Sequence, residues 1–159
     1  MKVFFKKNNL NAVIPMKGTE LSAGHDLTVT EVVRKASNKV YCKIGLSMSP
    51  EEENTKIVLV PRSSLTKTNW VMNNSPGIGD SDYTDEYQIR FTAIPTGINY
   101  SWQWKWPFVK TELTYDDFPY ETGDRIGQMF LSKVIPIEWE EVDHLIKTSR
   151  EGGFGSTGK

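Results

Sequence analysis

Cysteine is nearly missing from this chain. Cys42 is the only one in 159 residues, so no disulfide framework can form within the chain and a reducing, cytoplasmic setting is expected. Histidine is almost as scarce, with only His25 and His144. There is no Cys-x-x-Cys and no His-Glu-x-x-His, which makes a dedicated zinc site an unpromising reading. Charge of one sign is lacking too: Lys and Arg number 19 against 20 Asp and Glu, a formal charge of -1. That balance weighs against a protein whose main task is to grip nucleic acid or an anionic membrane, so neither partner is expected. Long apolar runs are absent: Ile57-Val58-Leu59-Val60 falls far short of the roughly 20 residues of a spanning helix. The apolar stretch within Met1 to Lys7 is too short for a signal peptide.

What remains is an ordinary globular composition, 38% hydrophobic and 25% charged, at a length that suits one domain. Helical periodicity is weak, whereas short β-branched or aromatic runs repeatedly end in Gly, Pro, Asn or Asp. Strands are expected over 2–5, 26–33, 39–46, 56–60, 86–94, 98–109, 126–135 and 137–142, with a short helix after Pro61. Regularly spaced short strands imply an all-β fold, a sandwich, jelly roll or barrel. Residues 1–149 read as a single β-domain and 150–159, with four glycines and little to bury, as a mobile tail.

Several segments carry residues suited to phosphate chemistry. Gly153 to Lys159 reads Gly-x-x-x-x-Gly-Lys, yet a P-loop needs a helix after its lysine and none is expected here. The glycines beside Ser156 and Thr157 still offer amides and hydroxyls to phosphate oxygens, unless the tail is simply disordered. In Pro61-Arg62-Ser63-Ser64 the guanidinium fork matches phosphate, although a helix start with a capping serine would look the same. Asp80-Ser81-Asp82-Tyr83 follows a Pro-Gly turn, where a carboxylate on a stiff hairpin can orient and deprotonate a water or merely solvate the turn. Ala23-Gly24-His25-Asp26-Leu27 and Gly123-Asp124-Arg125-Ile126-Gly127-Gln128 are two further turn-then-strand patterns, whose acids and Arg125 suit buried ion pairs that fix loops.

Taken in order with Gly-Gly-Phe-Gly-Ser-Thr-Gly, these segments resemble the five motifs of the trimeric dUTP diphosphatases, the dUTPases. The resemblance runs from Ala23 to Gly158. It implies a jelly-roll-like homotrimer with active sites between subunits, hydrolysing dUTP to dUMP and diphosphate with Mg²⁺. By motif, Asp80 would be the general base. Tyr83 would pack on the deoxyribose and exclude a 2′-hydroxyl. Asn74 with the hairpin around Gly77 and Gln88 would read the uracil edge. Arg62, Ser63, Ser64 and Gln128 would hold the triphosphate. From the tail, Phe154 would stack on uracil while Arg150, Gly155, Ser156 and Thr157 would hold the terminal phosphates. Asp26 would meet the metal region only through water, Asp124 and Arg125 would be mostly structural, and no direct protein ligand to Mg²⁺ is expected.

Three positions depart from the pattern of the motifs. Gly79 stands where isoleucine usually precedes the catalytic Asp, Thr84-Asp85 replaces Arg-Gly, and Arg150 lies one residue closer to Phe154 than is common. An insert is also expected at about 97–118, reminiscent of phage-type members and of a phage or prophage source. Within it Trp102, Trp104 and Trp106 alternate with polar residues, as on a strand with one aromatic face. That face either packs on the β-domain or docks a protein partner; the acids Glu112, Asp116, Asp117 and Glu121 argue against stacking single-stranded DNA. The rival functions are a dCTP deaminase-related enzyme and a nucleotide-switched regulatory protein.

Overall fold

The computed structural model describes residues 1–106 and 109–146, and the tail expected over 150–159 lies outside the described residues. Among the described residues, thirteen strands and one 3₁₀ helix make up the regular structure. A five-stranded sheet has the order β2 (Met16–Lys17), β3 (His25–Thr28), β13 (Arg125–Lys133), β7 (Thr55–Pro61) and β9 (Gly77–Gly79). A four-stranded sheet has the order β4 (Glu31–Ala36), β5 (Lys39–Lys43), β10 (Gln88–Ala93) and β8 (Trp70–Met72). β1 (Val3–Lys7) pairs with β6 (Leu46–Pro50), and β11 (Gly97–Trp102) with β12 (Val109–Thr114). Every pairing is antiparallel. The sheets stay open, so the architecture is a sandwich rather than a closed barrel.

Alternation decides the faces. Val40 and Cys42 on β5, and Ile89, Phe91 and Ala93 on β10, are buried while their neighbours are less so, as a strand with one face on the core requires. Leu27, Ile57, Leu59, Ile126 and Met129 from the five-stranded sheet enter the same cluster, so one apolar core joins both sheets. At roughly 1.5–3 kcal/mol for each large apolar side chain fully buried, this shared core supplies the main driving force.

Two expected strands are each split. The segment 26–33 divides into β3 and β4 around Val29 and Thr30, whose amides donate to Asp124 O and Lys43 O at 2.9 and 2.8 Å. The segment 39–46 divides at Gly45, which takes a φ of 70° between β5 and β6. β-branched and aromatic propensity runs through both corners, so only the hydrogen-bond partners reveal them. The expected strand at 137–142 is not formed, and Ile137 and Trp139 are exposed. The short helix after Pro61 is present as Ser63–Lys67. β2, β8 and β9, only two or three residues each, were not expected.

The segment expected as an insert contains a hairpin, β11 with β12, whose ladder runs from Gly97↔Thr114 to Trp102↔Val109. The single tryptophan-bearing strand expected over 98–109 is thus corrected: β11 ends at Trp102, and Trp104 and Trp106 lie past it near the turn. Their relative exposures are 86%, 101% and 82% for Trp102, Trp104 and Trp106, so within this chain the indoles do not pack on the β-domain. The far end of the expected insert belongs to the core instead. Phe118 is buried edge-on to Trp70 at 5.0 Å, and the Trp70 indole N–H donates to Asp116 O and Asp117 O at 3.2 and 3.1 Å.

Burial pushes the Cys42 thiol up from 9.0 to about 12 and, with help from nearby Tyr83 and Asp80, the Tyr87 phenol from 10.0 to about 12. Both groups are neutral in the folded protein, and the unfolded chain gives up their protons first. The stability they contribute is therefore complete below pH 9 and is lost progressively as the pH rises to about 12. Urea midpoints should fall between pH 8.5 and pH 11, and fall less steeply in Cys42→Ala; a flat profile would contradict the assignment.

Candidate functional site

Asp26 on β3 stands at the centre of the first group of site residues. It is only 8% exposed, and a carboxylate so placed requires partners. Arg125 donates from Nη1 to Oδ2 at 2.9 Å, Gln128 from Nε2 to Oδ1 at 3.0 Å, and Arg62 Nε lies 3.4 Å from Oδ1. Arg62 also donates from Nη1 to the Arg125 carbonyl at 3.2 Å. The β3–β13 register sets Gln128 opposite Asp26, and β7 ends where Arg62 begins the turn into the 3₁₀ helix. Two guanidiniums around one carboxylate leave a net positive patch, suited to an anion. Ser63 and Ser64 sit beside it on the helix, with Ser64 Oγ 3.5 Å from Tyr120 Oη. Arg62 is the N-cap residue and makes no side-chain capping bond, so serine capping does not explain the Arg-Ser-Ser segment. Asp124, expected to be structural, accepts the Glu121 amide at 2.9 Å and fixes the turn before β13, where Gly123 takes a φ of 99°.

The second group is a cavity of about 350 Å³ in the hairpin that follows β8, lined among others by Asn74, Pro76, Gly77, Tyr83, Tyr87 and Gln88. Asn74 holds this hairpin together: Nδ2 donates to Gln88 O at 3.1 Å and Oδ1 accepts the Arg90 amide at 2.9 Å. Its amide is thereby spent on the hairpin's own backbone. The walls around it carry the remaining polar groups. Tyr83 donates its amide to Asp80 O at 3.2 Å and its hydroxyl to Glu86 O at 3.3 Å. Asp80 is exposed at the start of that turn. Tyr87 escaped notice in the sequence, although Gly79, standing where a larger residue is usual, was the signal that could have found it.

The two groups lie far apart on one chain. Gly79 faces Ile57 near the start of β7, and Asp80 continues beyond that end, whereas Arg62 follows the opposite end at Pro61. At the rise of an extended strand that separates Asp80 from Arg62 by about 20 Å. Among the described residues no hydrogen bond or ion pair links the groups. Arg150, Phe154, Gly155, Ser156 and Thr157 lie outside the described residues. Among the described residues there is also no cluster of three His, Cys, Asp or Glu side chains placed to hold a metal, and no helix long and apolar enough to cross a membrane.

An open β-sandwich with an arginine-rich anion patch and a separate cavity defines a class of anion-binding β-proteins. Comparison with known proteins makes this particular. The family model for dUTPase matches residues 11–101. A deoxyuridine 5′-triphosphate nucleotidohydrolase of Helicobacter pylori is 35% identical over 161 residues, covering 99% of this chain and 97% of that protein. The rice enzyme of the same name is 34% identical over 155 residues, covering 96% of this chain and 78% of that protein. Among solved structures, the Staphylococcus bacteriophage 80alpha dUTPase with dUPNHPP superposes at a TM-score of 0.75 with 22% identity, over 99% of this chain and 98% of that chain. The chain belongs to the dUTPase family.

Asp26→Ala should remove the common partner of Arg62, Arg125 and Gln128 and cost on the order of 2 kcal/mol, a loss readable as a lower urea midpoint. Asp26→Asn should cost less, because it keeps a hydrogen-bond acceptor. Equal midpoints for Asp26→Ala and the native protein would show that the cluster is not cohesive.

Proposed function

We propose that this protein hydrolyses dUTP to dUMP and diphosphate, limiting uracil in DNA and supplying dUMP. One observation carries the reading beyond family membership. The chain bears a cavity lined by Asn74, Gly77, Tyr83 and Gln88 and a separate cationic patch, which suit the uncharged base and the triphosphate of one nucleotide. At about 20 Å apart on one subunit, they can serve the same molecule only when different copies of the chain bring them together.

A homotrimer with sites between subunits follows. It is supported by apolar surface that finds no cover within the chain. Phe5, Ile14 and Phe130, 48%, 48% and 36% exposed, line a cavity of about 420 Å³. Ile135, Ile137 and Trp139 are 82%, 68% and 90% exposed along the segment after β13.

In such a site the Gly77–Gln88 hairpin reads the uracil edge through its backbone, and Tyr83 lies against the deoxyribose where a 2′-hydroxyl would clash. Arg62, Ser63, Ser64 and Gln128 hold phosphate oxygens. Asp80 takes the proton of a water as its oxygen attacks the α-phosphorus. The bond from that phosphorus to the α–β bridging oxygen breaks, and diphosphate leaves with the electron pair. Both oxygens of Asp26 are already engaged by cations and amide, so Mg²⁺ would be held by the triphosphate and waters, where it would neutralise charge on the leaving group. Residues 1–149 form the β-domain in this reading, and Arg150, Phe154, Gly155, Ser156 and Thr157 add contacts to uracil and the terminal phosphates from a C-terminal segment closing over the site.

Rates of diphosphate release from dUTP, dCTP, UTP and dTTP test this. Strong preference for dUTP is expected; ammonia release from dCTP would favour the deaminase. Asp80→Asn should bind nucleotide yet lose turnover by at least about a hundredfold, the low end for a general base. Native turnover in that variant would overturn the role of Asp80. The exposed indoles of Trp102, Trp104 and Trp106 favour the second reading, a nucleotide-switched regulator acting on a protein; nucleotide binding without turnover in the native protein would support it.

A further inference from the structure

Gly79 lacks a side chain for a reason visible in the packing. A Cβ built there would lie 2.1 Å from the hydroxyl oxygen of Tyr87, 2.5 Å from Cε1 and 2.7 Å from Cζ. No side chain fits at position 79 while the Tyr87 ring is in place. The ring has taken the volume that a residue at 79 would otherwise fill.

Tyr87 is held firmly from behind. Its amide donates to Leu46 O, at the start of β6, at 2.9 Å, and its carbonyl accepts the amide of Ile44, in the corner between β5 and β6, at 3.4 Å. It is 3% exposed, and its hydroxyl has no hydrogen-bond partner among the described residues. In front stands Tyr83, edge-on to Tyr87 with ring centroids 5.0 Å apart and planes at 81°. Tyr83 is 39% exposed and lines the same cavity. Its turn is held by local bonds within Asp80 to Glu86 and by two longer ties: Ser49 Oγ donates to Ser81 O at 2.7 Å, and Glu86 Oε1 accepts the Gly45 amide at 3.0 Å. A wall made of an exposed turn residue needs a buttress if its depth is to be constant.

We propose that Tyr87 is a specificity-determining residue, whose ring occupies the space left by Gly79 and props Tyr83 at the depth that excludes a ribose from the cavity. The inference rests on the reading of the site as a dUTP pocket. Tyr87 acts through Tyr83, so it is a positioning residue, and the ring rather than the hydroxyl does the positioning. Leaving a buried hydroxyl unpaired costs free energy, and Tyr87 stands at this site despite its polar end.

Ratios of kcat/KM for dUTP over UTP in the full-length protein test the proposal. Tyr87→Leu should reduce the ratio about tenfold, the scale of a pocket contact altered by one small group. The change should appear chiefly as a lower KM for UTP, whereas simple loss of folded protein would lower both rates together. Tyr87→Phe keeps the ring and should keep most of the selectivity. Gly79→Ala, which forces the ring aside, should reduce the ratio in native background and have no further effect when combined with Tyr87→Leu, where the added methyl finds room. Unaltered selectivity in Tyr87→Leu, additive effects of the two changes, or a Tyr87→Phe variant as unselective as Tyr87→Leu would each overturn the proposal. If Tyr87→Leu does not fold, Gly79→Ala and Tyr87→Phe decide the matter. Native protein that fails to hydrolyse dUTP would instead defeat the underlying reading of the site.

Discussion

Strand β7 constrains everything else in this chain. It lies inside the five-stranded sheet, paired with β13 from Thr55 to Pro61 on one side and with β9 from Ile57 to Leu59 on the other. Through β13 it places Gln128 next to Asp26 on β3, and through its own end it delivers Arg62 to the same carboxylate. Through β9 it anchors the hairpin that bears Asp80 at the opposite end. A ladder of this kind cannot slip by one residue without turning core side chains to solvent, so the spacing between the halves is fixed. The separation of the anion patch from the hairpin is therefore a property of the sheet.

That rigidity explains the economy of the first group. One carboxylate, buried and shared, orients two arginines and a glutamine that would otherwise sample many rotamers. Guanidiniums held in advance give up less freedom when an anion arrives. The hairpin uses a different device. Asn74 bridges its two arms with both ends of one amide, which fixes the spacing of the arms beside the cavity. Behind it, the Gly79 and Tyr87 pair exchanges a side chain on one strand for a ring from the next segment of chain. A departure from the family pattern at one position is thus matched by a volume supplied from another.

Much of this was legible in the residues. The antiparallel all-β class followed from short alternating runs, and the 3₁₀ turn after Pro61 from its local sequence. The motif order identified Arg62, Asp26 and Gln128, which the structure brings within hydrogen-bonding or ion-pairing distance. Asn74, Gly77, Tyr83 and Gln88 line one cavity. Less was legible where partners decide the outcome. The corners at Val29 and Gly45 interrupt runs that look continuous, and Trp104 and Trp106 leave the ladder that Trp102 ends. Phe118 looked like part of an insert and is a core residue set edge-on to Trp70.

By itself the sequence determined the fold class, the chemistry of its motifs and the absence of any disulfide within the chain, because periodicity, residue type and composition are local properties of the chain. Tertiary structure alone decided that Asp26 spends its oxygens on guanidinium and amide groups, that Asn74 serves the backbone, and that Tyr87 fills the place of a missing side chain. Each of these depends on what strand pairing and close packing bring together from distant parts of the chain, and no window of neighbouring residues contains that information.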